Sequence, residues 1–454
     1  MRPSPKQVER SGRIQRRKVI AWLLLVLAAG EFVVRGPVRS FQTPIWNDLS
    51  QYYAASRLWL RGQNFAKPEN LVALWRNEAG STLDGPLRTH IAPPPGALVL
   101  LSPIAALPWP AAMIAWLAVL VAAFGVTVWS LIKVAELRLD ETRTVLFVAG
   151  CLALAPFHTG IANENQTILV VGLCALGILT ARNGHDLPAG LLFGAACSMK
   201  PHIGSFLVLY YLVQRRWRLF WSAIGITALM VVIAAAWMQV NGVQWTPNYL
   251  DNIKFSAANN SFDDFTSANP ARFLLINLQV PFYSFTHSRA YSNVAAFSVG
   301  AALIVGWVFI VLRSKRNHSE LLALATIAVI GLLPLYHRLY DASVLAIPLC
   351  WCIRERRNAT RRLMTFSLLL MAPFSLPTAA LLQEAAGKGW ISANLQRSSL
   401  WETLIMPHQT WLLLVLCITL LYAMAVENPS FREQPQHASE GPISLSSQGS
   451  TFSQ

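Results

Sequence analysis

Charge is scarce in this sequence. Asp, Glu, Lys and Arg make up 13% of its 454 residues, against about 25% in a soluble domain, so ionic groups cannot cover a globular surface. Acids are the scarcer sign: 22 Asp and Glu stand against 37 Lys and Arg, a formal net charge of +15. Nucleotide and hydrolase motifs are missing too. No GxxxxGK[ST], no GxGxxG opening a helix, no HExxH and no GxSxG occurs, which excludes a P-loop, a dinucleotide fold, a zincin and a nucleophile elbow. An enzyme without a soluble nucleotide-binding domain needs a donor that arrives in the membrane already activated. The six cysteines, Cys151, Cys174, Cys197, Cys350, Cys352 and Cys417, show no CxxC or Cys/His metal spacing and lie in apolar runs, as buried small hydrophobes do. There is no repeat at a fixed period of 20–50 residues.

What the chain has instead is apolar sequence. Hydrophobic residues make up 54% and mean hydropathy is +0.42. That excludes a soluble enzyme, a disordered chain and a collagen-like fibre. At about 20 residues per span, the runs are 19–30, 92–108, 110–132, 143–160, 166–182, 187–213, 218–240, 291–313, 319–336, 338–353, 362–382 and 409–426. The fold class read from them is all-α: a polytopic transmembrane helix bundle of about twelve spans, with short interfacial helices in the first outer loop. A basic cytoplasmic tail (1–18) precedes the multi-pass domain (19–426), and a disordered cytoplasmic tail (427–454) follows it. The clusters Arg215-Arg216-Trp217-Arg218, Arg313 to Arg316 and Arg354 to Arg362 then fall on the cytoplasmic side, as the positive-inside rule requires. The basic balance therefore points to membrane lipids as partners and not to nucleic acid. Residues 133–190 fit poorly. Strict alternation puts Lys133, Arg138, Arg143 and Arg182 outside and Gly160–Thr167 inside, and one re-entrant segment would invert that section. Three long segments, 36–91, 241–290 and 383–408, lie on the outer side, and loops of that length usually carry function.

The segment Trp46-Asn47-Asp48-Leu49-Ser50-Gln51-Tyr52-Tyr53 follows the first span. A short helix ending near Arg61-Gly62 places Asp48, Tyr52 and Ala55 on one face. Asp48 can then accept a proton from a hydroxyl nucleophile, or simply cap the helix. Downstream, Arg88-Thr89-His90 leads into Pro93-Pro94-Pro95, with Pro103 and Pro108 further on. Broken helices at membrane depth face protein or a cavity, so a cavity is expected here, with Arg88 and His90 as substrate contacts. Asn163-Glu164-Asn165-Gln166 separates two apolar runs; these four side chains, Asn163 and Gln166 foremost, can bind a sugar or satisfy helix ends. Lys200 sits in the middle of the run 187–213, where a charge faces a cavity or a partner; it can meet a phosphate or snorkel. His337-Arg338-Leu339-Tyr340-Asp341 opens a later span. Arg338 and His337 can hold a phosphate with Asp341 orienting Arg338, or the group is an interfacial ion pair.

Taken together, these pieces resemble the integral-membrane C-type glycosyltransferases, and within them glycosyltransferase family 87, relatives of polyprenol-phosphate-mannose-dependent α-(1→2)-mannosyltransferases. The pieces are Asp48 with Tyr52-Tyr53-Ala54-Ala55 and Gly62; Ala92-Pro93-Pro94 with Pro103 and Pro108; Asn163 with Asn165-Gln166; Gly190 to Lys200-Pro201 before Arg215-Arg216; and Tyr336 to Asp341. They extend over about residues 19–355. The resemblance implies a hexosyltransferase, by family mannosyl, that moves a sugar from a polyprenyl-phosphate-linked donor to a glycan or lipid acceptor. It implies an inverting single displacement with Asp48 as base, donor phosphate held by Lys200, His337 and Arg338, and substrate contacts from Tyr52, Tyr340 and Asp341 besides those above. It also implies a bacterial-type plasma membrane with the site on the periplasmic or extracellular face. Two departures stand out. Many relatives read Asn-x-Gly-Gln where this chain has Asn163-Glu164-Asn165-Gln166. Asn47 stands where some C-type relatives place a second acid, which argues against a metal-dependent mechanism; no metal ligand or cofactor is assigned, and a divalent metal is left open. The competing reading is a transporter or flippase for a lipid-linked or polar solute. That class often shows paired broken halves, which this sequence lacks. A non-catalytic assembly partner is the third reading.

Overall fold

A computed structural model describes residues 5–42, 48–79, 90–139, 141–256, 258, 261, 263–313, 319–354 and 360–427, with side chains from residue 15 onward. The expectations for Arg88, for most of the 315–316 and 356–357 basic clusters and for the tail beyond Glu427 lie outside the described residues. Those described are almost all helical. Their one isolated β-bridge joins Leu275 to Arg338. In chain order the helices are α1 Pro5–Val33, α2 Asp48–Leu60, α3 Pro68–Ala79, α4 Pro95–Ala105, α5 Trp109–Val134, α6 Thr142–Ala153, α7 Ala155–Ala162, α8 Thr167–Arg182, α9 Asp186–Met199 and α10 Pro201–Val213. They continue as α11 Trp217–Val240, α12 Thr246–Ser256, α13 Gln279–Thr286, α14 Arg289–Arg313, α15 Glu320–Gly331, α16 Ala346–Arg354, α17 Arg361–Met371, α18 Thr378–Gly387, α19 Ala393–Gln396 and α20 His408–Glu427. The all-α polytopic bundle read from the sequence is the observed architecture.

Five helices are long and apolar enough to cross a membrane, or up to seven if each of two bent pairs is one span. These pairs, α6 with α7 and the α17 stretch Arg361–Ser375 with α18, bend by 47° and 46°. The apolar windows of α1, α11 and α14 keep only 22%, 17% and 22% of their residues buried. Such helices suit a hydrocarbon surround and not water. Helix α15, buried along almost its whole length, runs through the middle.

Two of the runs read as spans behave otherwise. The run 92–108 gives the 11-residue α4, which packs along α2. Tyr53 and Arg57 of α2 donate to the Leu107 carbonyl and Arg57 to that of Ala105, so α4 turns back at the end of the bundle that carries α2. The run 187–213 is broken at Lys200 into α9 and α10. Arg216, just beyond α10, bonds Asp186 at the start of α9 and the Ala181 carbonyl. Both free ends of this hairpin therefore meet, and Lys200 is its tip. The about twelve spans read from the sequence thus compare with five to seven helices of span length among the described residues. Arg182 now pairs with Glu136 and Arg143 reaches the Arg354 carbonyl. The basic residues that fitted poorly thus lie at the end holding Arg216 and Arg354, and Asn163–Thr167 lies with Asp48. The physical reason is proline and glycine chemistry. Pro201 cannot donate into the turn before it, and Gly190 and Gly194 let α9 lie directly on α11. A Cβ on Gly194 would meet the Ala223 carbonyl at 2.7 Å and the Ile226 side chain at 1.6 Å, the close approach that small residues permit between membrane helices.

The outer segments are zipped together. Asn252 of α12 donates to the Ala66 and Ile91 carbonyls at 2.9 and 2.8 Å. Asn64 bonds Gln244 and Asn248, and Phe65 packs on Trp245 and Tyr249. α2 ends as expected at Gly62, whose φ of +63° glycine adopts without penalty.

Candidate functional site

The end of α7 fixes the first part of the site. Glu164 adopts φ +51°; its N–H bonds Ile161 O and the Asn165 N–H bonds Gly160 O, the paired bonds of a Schellman C-terminus. The Trp116 indole N–H bonds the Glu164 carbonyl at 2.8 Å and holds this turn. Two bonds tie it to α2: Asp48 N–H donates to Asn163 O at 2.9 Å, and Asn165 Nδ2 donates to Asp48 Oδ2 at 2.6 Å. A second turn, 332–338, is pinned from the other side, since Ile276 N–H donates to His337 O and Leu278 N–H to Leu333 O.

Between these turns lies a cavity of about 850 Å³. Its walls include Asp48, Gln51 and Tyr52 from one face of α2, Asn165 and Gln166, Lys200 and His202 at the hairpin tip, Tyr336 and Tyr340, and His90 with Ile253 and Phe255 at the mouth. The His90 ring stacks on Phe255 at 4.0 Å. Burial holds the Tyr52 phenol well above its usual range, and the Asp48 carboxylate pushes the same way. Tyr52 is thus a neutral hydroxyl that donates or accepts, and not a base.

Asp341 is the hub behind the wall. It is fully buried and takes Lys200 Nζ at 2.7 Å and Thr167 Oγ1 at 2.7 Å on one oxygen, and Arg338 N–H at 3.1 Å and His337 Nδ1 at 3.3 Å on the other. The ligand atoms of His202, His337 and Asp341 come within 4.8 Å of one another, a spacing a metal could bridge. Both Asp341 oxygens already meet these four partners, however, and an ammonium stands beside it, so the group reads as an ion-pair hub. Lys200 also lies over the Tyr340 ring at 4.8 Å, a cation–π contact.

Of the residues named from sequence, Asp48, Tyr52, His90, Gln166, Lys200 and Tyr340 share the cavity. His337, Arg338, Asp341 and Asn163 do not line it. His337 is fully buried against His202 and bonds the Gly331 carbonyl. The Arg338 side chain donates to the Tyr336 hydroxyl at 2.6 Å, and Asp341 accepts from the Arg338 backbone N–H. Of the three cations expected around a phosphate, Lys200 lines the cavity, while His337 and Arg338 are not among its walls. Asn163 contributes its carbonyl to α2 and not its amide to the cavity. Gln51, His202 and Asp263, to which the sequence assigned no role, also line the pocket. The left-handed turn at Glu164, a feature of the folded chain, is what brings the Asn165 amide to Asp48. Gln166 is fully buried, donates through Nε2 to the Met199 carbonyl at 3.1 Å, and leaves its Oε1 with no partner among the described residues.

A family model described as Glycosyltransferase family 87 matches residues 93–336, more than half of the chain. The chain belongs to glycosyltransferase family 87. Membership makes it a membrane glycosyltransferase that takes a sugar donor and an acceptor. The match begins after Asp48 and His90 and stops one residue before His337, so it covers the Asn165 turn and the Lys200 hairpin but not the α2 carboxylate. No curated protein and no solved structure matches the chain significantly.

Proposed function

We propose that this family 87 glycosyltransferase moves a hexosyl group, mannosyl by resemblance, from a polyprenyl-phosphate-linked donor to a hydroxyl of a glycan or lipid acceptor. We place the reaction at the outer face of a bacterial-type plasma membrane. The observation that carries the proposal is the shared cavity: the Asp48 carboxylate and the Lys200 ammonium open into the same space within an apolar helix bundle. Lys200 is the group suited to neutralise the phosphate as it leaves, since a preorganised cation acts where charge develops. Asp48 takes the proton from the acceptor hydroxyl; its oxygen attacks the anomeric carbon, and the bond from that carbon to the phosphate oxygen breaks with the electron pair leaving on the phosphate. The single displacement inverts the carbon through an oxocarbenium-like transition state. Gln166, which lines the cavity, is the amide assigned to a sugar hydroxyl in this reading.

The test is Asp48→Asn assayed for transfer from labelled lipid-linked donor in membranes. Loss of about 10²–10⁴-fold in rate at normal protein level is expected for a removed general base. Full retained activity rejects Asp48 as the base. A donor screen read by mass spectrometry identifies the sugar, and failure of every polyprenyl-phosphate sugar rejects the donor class.

A further inference from the structure

The amide of Asn165 has no freedom to turn. Its Oδ1 accepts the Thr167 backbone N–H at 2.9 Å, a donor that can do nothing else, in the local turn that asparagine side chains favour. Its Nδ2 must then face Asp48, where it donates to Oδ2 at 2.6 Å. The next residue in the line is Thr167, fully buried, whose Oγ1 lies 2.6 Å from Asn165 Oδ1 and 2.7 Å from Asp341 Oδ1. Both neighbours accept, and a hydroxyl has one hydrogen, so Thr167 donates it to the Asp341 carboxylate, the stronger acceptor, while its backbone N–H holds Asn165 Oδ1. Asp341 in turn holds Lys200 at 2.7 Å.

We propose that Asn165 and Thr167 are positioning residues. They fix the α2 carboxylate in one orientation and tie it, through Asp341, to the ammonium on the far side of the cavity, so that base and phosphate anchor keep one relative geometry. This rests on the reading of Asp48 as base and Lys200 as anchor. A misplacement on the order of 1 Å costs about 100-fold in rate.

The experiment measures kcat and KM for labelled polyprenyl-phosphate sugar with purified full-length protein, in wild type, Asn165→Ala, Asn165→Asp, Thr167→Val and Thr167→Ser, each checked for folding by thermal melting in detergent. The Asn165 variants should lose about 100-fold in kcat while donor KM stays within about threefold, the pattern of an interaction that acts in the transition state. Asn165→Asp keeps the shape and removes the donor, so it reports even where Asn165→Ala fails to fold. Thr167→Val should lose about tenfold, and Thr167→Ser should restore most of it, because serine keeps the hydroxyl. Retained kcat in Asn165→Asp overturns the proposal. So does a loss confined to KM, or a Thr167→Ser as poor as Thr167→Val, which would mark Thr167 as packing. Wild-type transfer together with loss in Asp48→Asn keeps the parent reading intact in all these cases. No transfer by wild type, or full activity in Asp48→Asn, removes the parent reading and the inference with it.

Discussion

The wall of the cavity that holds Asp48, Asn165 and Lys200 is buried and cross-linked by hydrogen bonds, whereas the mouth, with Ile253 at 44% and Phe255 at 48% exposure, is held by a few asparagine contacts from the outer loops. The first wall joins α2, the α7–α8 turn, the α9–α10 tip and the 337–341 segment, elements far apart in sequence. The mouth joins two loops that connect long helices. A buried polar network has few alternative arrangements, because each broken bond leaves a desolvated group. A loop lip can repack at little cost. On the proposed function, the chemistry belongs to the inner wall and the choice of acceptor to the mouth.

Removing Lys200 should break this contrast most severely. Lys200→Met leaves Asp341 buried without its ammonium, and losing one partner of a buried pair costs about 3–5 kcal/mol. Both transfer activity and the melting temperature in detergent should fall; an unchanged melt would show that Asp341 does not depend on Lys200. Gly194→Val should come next. The added side chain collides with the Ala223 carbonyl and Ile226, and overpacking costs about 1–3 kcal/mol. Because α9 carries Lys200, activity should fall further than stability alone explains, and that can be read by comparing activity per folded molecule. At the mouth, Phe255→Ala or His90→Ala should change acceptor KM by only about tenfold and leave kcat close to wild type; a collapse in kcat would move the mouth into the inner wall's class. The smallest effect is expected for the pH response of Tyr52→Phe. Burial and the nearby carboxylate keep that phenol neutral far above its ordinary range, so its removal should not shift the alkaline limb of a pH–rate profile below about pH 10.

Much of the bundle was legible because hydrocarbon imposes a simple code: apolar runs of span length, basic ends, aromatic borders. The α2 helix, its end at Gly62 and the cavity beside the prolines were also readable, since each follows from a local residue signal. Lys200 shows where that code fails. A charge in the middle of a 27-residue apolar run looks like one span with a costly interruption. Folded, it is the turn of a hairpin whose ends are joined by Arg216 and Asp186. The poor fit of the basic residues of 133–182 was the one sign of this in the sequence. His337 and Arg338 show a related limit: a cation's presence in a motif says nothing about which way its side chain points.

By itself the sequence determined that this chain is a helical membrane bundle, with an acidic group after its first span and a lysine set among apolar residues. Those properties are local, fixed by hydropathy and by the backbone limits of proline and glycine. Only the tertiary structure decided that Asp48 and Lys200 open into one cavity, that Asn165 and not Asn163 touches the carboxylate, and that Asp341 stands behind the wall. Such pairings join residues up to 174 positions apart in the hydrogen bonds of this network, and a pattern read along the chain carries no distance across it.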